Sequence, residues 1–150
     1  MNEFIDTLKL ENQLCFPLYA ASRETVKLYR PFLDELGLTY TQYVTMLIIW
    51  EYGTCSVKFI GEKLYLDSGT LTPVLKSLER KGLLKRKRSR DDERVVNCIL
   101  TEKGEKLKEK AVAIPDKVGK IVGMDEKNVS ELYRLLYLLL EAIKNTSEEE

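Results

Sequence analysis

Three cysteines are the residues of this 150-residue chain best suited to covalent chemistry. They stand at positions 15, 55 and 98, and none forms a CxxC pair, so zinc ribbons and thioredoxin-like motifs are excluded. The sequence has no histidine, which removes histidine-based triads, metal sites and general bases. An odd number of widely spaced cysteines is typical of reduced thiols in a cytoplasm. We therefore expect a cytoplasmic protein with no metal and no cofactor.

Cys15 differs from the other two cysteines because a proline follows it by two residues. Proline is tolerated in the first turn of a helix and breaks a helix interior, so Pro17 predicts that a helix begins or kinks near residues 14–17. The positive end of a helix lowers the pKa of a thiol, and the thiolate attacks the O–O bond of a peroxide. Cys55, in a loop, and Cys98, in a strand, are better explained as small buried side chains.

Tyrosines in the first third of the chain offer phenolic groups that can donate hydrogen bonds to such a thiolate. Their spacing alone is more typical of aromatic residues in a core or an interface, so both interpretations stay open. The tyrosines concerned are Tyr19, Tyr29, Tyr40 and Tyr43.

A basic segment lies within a chain of zero net charge. Residues 76–94 contain nine Lys or Arg and four Asp or Glu, a surplus of five positive charges that the rest of the chain balances. A charge run alone is more typical of a solvated surface. Here the run adjoins a helix that begins at Asp67 or Ser68 with small hydroxyl residues in its first turns, which can approach phosphates and base edges.

This combination favours double-stranded DNA as the partner, with an arginine-bearing hairpin tip suited to a minor groove. The candidate contacts on the helix are Ser68, Thr70, Thr72 and Lys76. The candidate contacts on the hairpin are Arg86, Arg88, Arg90, Asp92 and Arg94.

Apolar spacing and capping residues predict a mainly α-helical chain with one small β-hairpin. Leu71, Leu75 and Leu78 form an apolar stripe on the helix that ends near Gly82. Thr39 and Gln42 have capping-box spacing before a buried helix. The expected elements are helices at 4–35 (closed by Pro31 and Gly37), 41–52 (burying Val44, Leu47, Ile48 and Trp50), 56–64 and 68–81, strands at 83–88 and 94–100, a long helix from Thr101 with a kink or break at Pro115, and a last helix from Asp125.

This order is the winged helix-turn-helix plan. The last helix is apolar on more than one side, which calls for two neighbours, one of them in another subunit. We expect one domain over residues 1–150, with dimerisation helices at about 1–36 and 115–145 and a DNA-binding region at about 39–101. No stretch is long and uncharged enough to span a bilayer, so we expect no membrane contact.

Four segments together resemble the MarR family of winged-helix repressors, and within it the organic hydroperoxide resistance repressors. The similarity covers about residues 6–145, and the first segment is the most specific sign of a peroxide sensor. The segments are LENQLCFPLYAASRE, LTYTQYVTMLIIWE, LYLDSGTLTPVLKSLERKGLLKRKRS and DDERVVNCILTEKGEKLKEKA.

The resemblance implies a homodimeric repressor that leaves its pseudo-palindromic operator when an organic hydroperoxide oxidises Cys15. Tyr29 and Tyr40 match tyrosines that bond the sulfur from the partner subunit, and Tyr19 matches a further tyrosine of that pocket. Arg94, beside Asp92, matches the arginine at the wing tip. Because residues 115–135 hold no cysteine, the resemblance implies that oxidation ends in a mixed disulfide with a small thiol, a sulfenamide or overoxidation.

Three other functions fit the same residues. One is a MarR-type repressor released by a small anionic aromatic ligand, with Cys15 inert. Another is a thiol-based global regulator that reads several oxidants. The third is a thiol peroxidase enzyme, which we disfavour because no resolving CxxC pair is present.

Overall fold

The computed structural model describes residues 6–147, and most of them are helical. A short 3-10 helix (Leu10–Asn12) precedes seven α-helices and three strands within this range. In chain order these are α1 (Cys15–Leu36), α2 (Tyr40–Tyr52), β1 (Thr54–Ser56), α3 (Val57–Leu64), α4 (Ser68–Arg80), β2 (Leu84–Arg88), β3 (Val96–Leu100), α5 (Glu102–Ala111), α6 (Ile114–Val122) and α7 (Glu126–Ser147).

Helix α1 begins where Pro17 predicted, with Cys15 as its first residue and Pro17 in its first turn. The expectation that helix starts as early as residue 4 is wrong for residues 8–14, which form bends and the 3-10 helix, and residues 4 and 5 lie outside the described range. Pro31 does not close the segment as expected, because α1 continues to Leu36 and ends at Gly37, whose φ is 65°. Leu33 is only 2% exposed, so it packs the last turns of α1 against the core. The free energy gained by this burial offsets the loss of the backbone hydrogen bond that Pro31 cannot donate.

Helix α2 is the buried centre of the N-terminal unit. The predicted capping box is confirmed, because the Gln42 amide donates to Thr39 Oγ1 at 3.2 Å and the Thr39 amide donates to Gln42 Oε1 at 3.1 Å. The Trp50 indole donates to the Gly104 carbonyl at 2.9 Å, which ties α2 to α5. Leu47 is 42% exposed, so its predicted burial is wrong.

The predicted hairpin of β2 and β3 is confirmed, and a third strand joins it. The sheet has the order β1-β3-β2, and both pairs are antiparallel. Strand β1 places Cys55 in the sheet, whereas the sequence placed it in a loop. Three residues are too few to show the two-residue alternation by which strands are recognised, which explains the error.

Helices α3 and α4 form the helix-turn-helix. Ser56 caps α3 by accepting from the Phe59 amide at 3.1 Å, and Asp67 caps α4 by accepting from the Thr70 amide at 2.8 Å. The predicted apolar stripe of α4 is confirmed, since each of its three leucines is at most 1% exposed: Leu71, Leu75 and Leu78.

The chain divides into two compact units, of which the first ends at Ile114 and the second begins at Pro115. In the first unit, Thr101 caps α5 as predicted by accepting from the Gly104 amide at 3.0 Å. In the second unit, α7 begins after Asp125, whose carboxylate accepts from the Asn128 amide at 2.9 Å. Within residues 6–147, no helix combines the length and apolar character needed to cross a membrane.

Candidate functional site

The Cys15 thiol is exposed at the N-terminal end of α1. The residue before it is Leu14, which makes no side-chain capping bond to the amides of the first turn, although the Phe16 amide donates to the Gln13 carbonyl at 3.3 Å. Those amides give this end of a 22-residue helix its partial positive charge. The arrangement predicted from Pro17 is therefore present, with the sulfur accessible to a small molecule.

A surface pocket of about 550 Å³ is lined by residues that are close to Cys15 in the sequence. Its apolar walls come from residues on either side of Cys15 in the sequence, and one basic and one acidic residue stand at its rim. The lining residues are Lys9, Leu10, Glu11, Phe16 and Pro17. The pocket thus offers an apolar surface formed by residues that flank Cys15 in the sequence.

Three tyrosines of α1 and α2 pack ring against ring. The Tyr29 and Tyr40 ring centroids are 5.1 Å apart, and Tyr43 lies 5.8 Å from Tyr29 and 6.3 Å from Tyr40. Burial, with a smaller effect of the neighbouring Tyr29, raises the pKa of both Tyr40 and Tyr43. These two phenols therefore keep their protons at neutral pH and can act as hydrogen-bond donors.

The tyrosine cluster is far from Cys15 in the same chain. Tyr29 follows Cys15 by 14 residues in one continuous helix, which corresponds to about 21 Å along the axis. Tyr19, one turn after Cys15, is close to it but 61% exposed, and the Arg23 guanidinium lies 5.4 Å from its ring centroid. A phenol of the cluster can therefore reach a Cys15 thiol only if that thiol belongs to a second copy.

Helix α4 presents a polar face opposite its leucine stripe. Two of the predicted hydroxyl groups donate inside the helix: Thr70 Oγ1 to Asp67 Oδ2 at 3.0 Å, and Thr72 Oγ1 to the Ser68 carbonyl at 2.6 Å. Their oxygens and methyl groups, rather than their hydroxyl protons, are left for a ligand. The Thr70 amide and hydroxyl lower the pKa of Asp67, so the cap stays ionised.

The centre of this exposed face includes residues that sequence reasoning missed. At 100° per residue, Gly69, Pro73 and Arg80 lie opposite the leucine stripe, together with the predicted Lys76, and all four are exposed. A helical projection of residues 68–80 would have found them. Gly69 and Pro73 were missed because the sequence interpretation of this helix was based on its hydroxyl groups.

The wing carries its remaining arginines on an ordered tip. The Asp92 carboxylate accepts from the Arg94 amide at 3.0 Å, and the Arg88 guanidinium donates to the Glu93 carbonyl at 2.8 Å. The Ser89 amide donates to the Val95 carbonyl at 2.8 Å across the turn. Arg90 and Arg94 are exposed on this tip.

Arg86 has a different environment from the other predicted DNA contacts. Its guanidinium donates to Glu79 Oε2 through Nε at 3.0 Å and Nη2 at 2.9 Å, and its amide donates to Glu79 Oε1 at 2.9 Å. These bonds lower the pKa of Glu79. Arg86 therefore connects β2 to α4. We call its hydrogen bonds to Glu79 the helix–wing clamp.

A second polar link ties the end of α1 to the end of α4. Lys81 donates to the Gly37 carbonyl and, at 2.7 Å, to Gln42 Oε1, and Gln42 Nε2 donates to Ser77 Oγ at 3.0 Å. At least three of the nine basic residues in the 76–94 segment are thus used within the fold: Lys81, Arg86 and Arg88.

Known proteins are similar to this chain in sequence and in fold. A family model described as "Transcriptional regulator SarA/Rot" matches residues 27–111. The chain is 54% identical over 146 residues to the organic hydroperoxide resistance transcriptional regulator of Bacillus subtilis (strain 168), a match that spans 95% of this chain and 97% of the relative. The structure is similar to reduced AbfR of Staphylococcus epidermidis bound to DNA, with a TM-score of 0.77, 32% identity, and 95% and 99% of the two chains covered. Its similarity to disulfide-formed AbfR has a TM-score of 0.61 at 33% identity, with 98% of each chain covered.

Proposed function

This chain belongs to the MarR family of winged-helix transcriptional regulators, in the organic hydroperoxide resistance group, and from this premise we propose that it is a homodimeric repressor whose operator binding ends when Cys15 is oxidised. The observation that carries the proposal is the exposed Cys15 thiol at the start of a long helix, whose next residues, Phe16 and Pro17, line an apolar pocket. The same chain carries a helix-turn-helix with a basic wing, so sensing and DNA binding are joined in one molecule.

The DNA-binding part of the proposal rests on α4 and the wing. The polar face of α4 enters a major groove, and two copies read successive half-sites about one helical turn apart. The arginines of the wing tip reach the minor groove or its phosphates. Reduced AbfR, which this structure resembles, is bound to DNA.

Two helices expose the apolar surface that a dimer would bury. Early in α1, Phe16 is 42% and Tyr19 61% exposed. Helix α7 exposes seven large apolar side chains: Val129, Leu132, Tyr133, Leu135, Tyr137, Leu138 and Ile143. Monomeric proteins rarely leave apolar patches of this kind uncovered, so these helices support a homodimer.

In the oxidation step, the Cys15 thiolate attacks one oxygen of a hydroperoxide ROOH. The S–O bond forms and the O–O bond breaks, which leaves a sulfenic acid on Cys15 and releases the alcohol ROH after protonation. The apolar pocket accepts the organic group R, which explains a preference for organic peroxides. A small thiol then converts the sulfenic acid into a mixed disulfide and releases water, or a second peroxide overoxidises it.

The tyrosine cluster connects this step to the partner copy. We place Tyr29 and Tyr40 of one copy against Cys15 of the other, where neutral phenols stabilise the thiolate by donating to it. A sulfenic acid or a bulky disulfide is larger than the thiol, so the pocket must repack and the two winged units shift out of register. Loss of even a few phosphate contacts lowers affinity steeply.

In this mechanism, Cys15 is oxidised once in each regulatory event, and the protein does not turn over peroxide as an enzyme would. It also places the protein in the cytoplasm, where operator DNA and reduced thiols coexist.

The test is the Cys15→Ser variant on DNA that the wild-type protein selects from a random pool. Fluorescence anisotropy should show equal affinities for the two reduced proteins. Stoichiometric cumene hydroperoxide should release the wild-type protein and leave the variant bound. Release of both proteins by peroxide would remove Cys15 from the mechanism.

A further inference from the structure

Cys55 and Cys98 form a second thiol site, remote from the sensor. The register of β1 and β3 sets these two residues directly opposite each other. Opposite residues of an antiparallel pair point to the same face of the sheet, with Cα atoms about 4.5–5.5 Å apart. Disulfides bridge Cα atoms about 4.4–6.8 Å apart, so the backbone already holds the pair at bonding distance.

Both thiols belong to the core of the DNA-binding unit. Cys55 is 7% exposed and Cys98 is fully buried. Burial raises the pKa of Cys55, and it raises that of Cys98 to about 12 with a smaller contribution from Cys55 itself. The Cys98 thiol therefore titrates in the electrostatic field of Cys55, and burial keeps both thiols protonated in the closed sheet. In the closed sheet, the pair therefore does not react with peroxide under conditions in which the exposed Cys15 thiol does.

Strand β1 is the element that can open the site. It is a three-residue edge strand, and the residues on either side of Cys55 are not buried: Thr54 is exposed and Ser56 is half-buried. Short edge strands open locally at low cost in free energy. Opening of β1 would expose Cys55, while Cys98 would remain in the central strand β3.

We propose that Cys55 and Cys98 are a latent dithiol, which organic hydroperoxide converts into a cross-strand disulfide after the sensor cysteine has reacted. In the open state, the Cys55 thiolate attacks the peroxide, an S–O bond replaces the O–O bond, and the alcohol leaves. The Cys98 thiol then attacks the Cys55 sulfur, the S–S bond forms, the S–O bond breaks, and water carries away the hydroxyl group and the proton. Two thiols thus lose two electrons and reduce one peroxide molecule.

The disulfide would hold the DNA-binding unit together under severe oxidation. The loop that it closes contains the whole helix-turn-helix and β2, and closing a loop of this length restricts the unfolded chain strongly. Cys98 also lies opposite Arg86, which belongs to β2, the other neighbour of β3, and forms the helix–wing clamp with Glu79. The disulfide would therefore lie in the same cross-strand row as Arg86, which attaches the wing to α4.

The test uses the Cys15→Ser variant, so that the sensor cannot contribute and the result does not depend on the proposed function. The folded variant is treated with excess tert-butyl hydroperoxide, alkylated and analysed by intact mass. We expect a loss of about 2 Da per chain and protection from alkylation, both reversed by dithiothreitol. Without reduction, trypsin should release the peptide 28–58 joined to the peptide 95–103.

The matched controls are Cys15→Ser combined with Cys55→Ala or with Cys98→Ala, and neither should lose mass in this way. Because the main readout is taken on the chain that keeps both thiols, poor folding of a control would not affect it. Low concentrations of urea should speed the reaction of the Cys15→Ser variant, since they favour opening of β1. An unchanged mass, a gain of about 16 or 32 Da without a link, or a link between two chains would overturn the proposal.

Discussion

Replacing Glu79 by glutamine tests whether the helix–wing clamp positions the wing on DNA. The change keeps the size of the side chain and removes the negative charge that Arg86 contacts through three hydrogen bonds of 2.9–3.0 Å. Electrostatics and positioning predict opposite results for DNA binding. Loss of an acid beside a basic surface should tighten binding to phosphates, whereas loss of the clamp should weaken binding because the wing tip is no longer held.

The size of the effect follows from the geometry. A hydrogen bond to a charged group contributes about 1.5–3 kcal/mol when it is well shielded, and exposed ion pairs contribute about 0.2–1 kcal/mol. The Arg86 and Glu79 side chains are 25% and 36% exposed, so solvent screens the pair in part. We expect Glu79→Gln to lower the free energy of unfolding by about 1–2 kcal/mol. A similar loss of wing positioning would weaken operator binding by about fivefold to thirtyfold.

The assays are urea unfolding and fluorescence anisotropy over a series of salt concentrations. Glu93→Gln is the matched control, because it removes the same charge from the exposed wing tip and leaves the clamp intact. Its affinity should stay equal or rise. If Glu79→Gln bound DNA as tightly as Glu93→Gln, the clamp would have no part in recognition. Arg86→Gln should weaken binding without changing the salt dependence, since Arg86 is already paired with Glu79.

The clamp also predicts a dependence of stability on pH. Arg86 holds the pKa of Glu79 below its usual range. A carboxyl group with a lowered folded pKa stabilises the fold above its ordinary pKa of about 4.3 and loses that effect as the pH falls through the folded value. The stability difference between wild type and Glu79→Gln should therefore be constant near neutral pH and shrink below about pH 4.

Three further predictions concern the core, the wing and the sensor. Gly104→Ala should lower the free energy of unfolding by about 2–3 kcal/mol, because a Cβ there would lie 2.2 Å from the Leu83 carbonyl oxygen. Gly119→Ala, at a position with open space around it, should instead raise the free energy of unfolding by about 0.5–1 kcal/mol. Equal unfolding midpoints for the two variants would contradict this packing. Arg94→Ala should weaken operator binding and reduce the slope of log affinity against log salt by about 1, and an unchanged slope would exclude a phosphate contact. Tyr40→Phe should slow oxidation of the sensor thiol in a stopped-flow peroxide assay, and a wild-type rate would exclude a phenol donor at this position.

The sequence predicted well the features that local chemistry decides. Thr39 and Gln42 form the capping box that their spacing indicated, and Gly37 ends its helix with a positive φ. Pro17 correctly marked the beginning of α1. These signals depend on a few neighbouring residues, so they can be recognised without knowledge of the fold.

Predictions failed where tertiary contacts decide the outcome. Pro31 ends many helices but not α1, because burial of Leu33 stabilises the turns around it. Strand β1 exists only because β3 lies beside it, so its three residues carry no pattern of their own. Arg86 belongs to a basic run, and nothing in the run distinguishes it from its neighbours. Only the position of Glu79, one residue before the end of α4, selects Arg86 for an ion pair.

The placement of Cys15 and Tyr29 on one helix has a consequence for how a signal can travel. Cys15 is at the first residue of α1, the tyrosine cluster lies about four turns later, and Gly37 ends the helix. Because Lys81 bonds the Gly37 carbonyl and Gln42, a shift of the end of α1 must be accommodated by the end of α4. In the proposed mechanism, a phenol that follows the oxidised Cys15 of the other copy therefore moves a helix that is bonded to the recognition helix of its own chain. In the proposed mechanism, sensing therefore requires two copies, since in one chain Cys15 and Tyr29 are about four turns apart on α1.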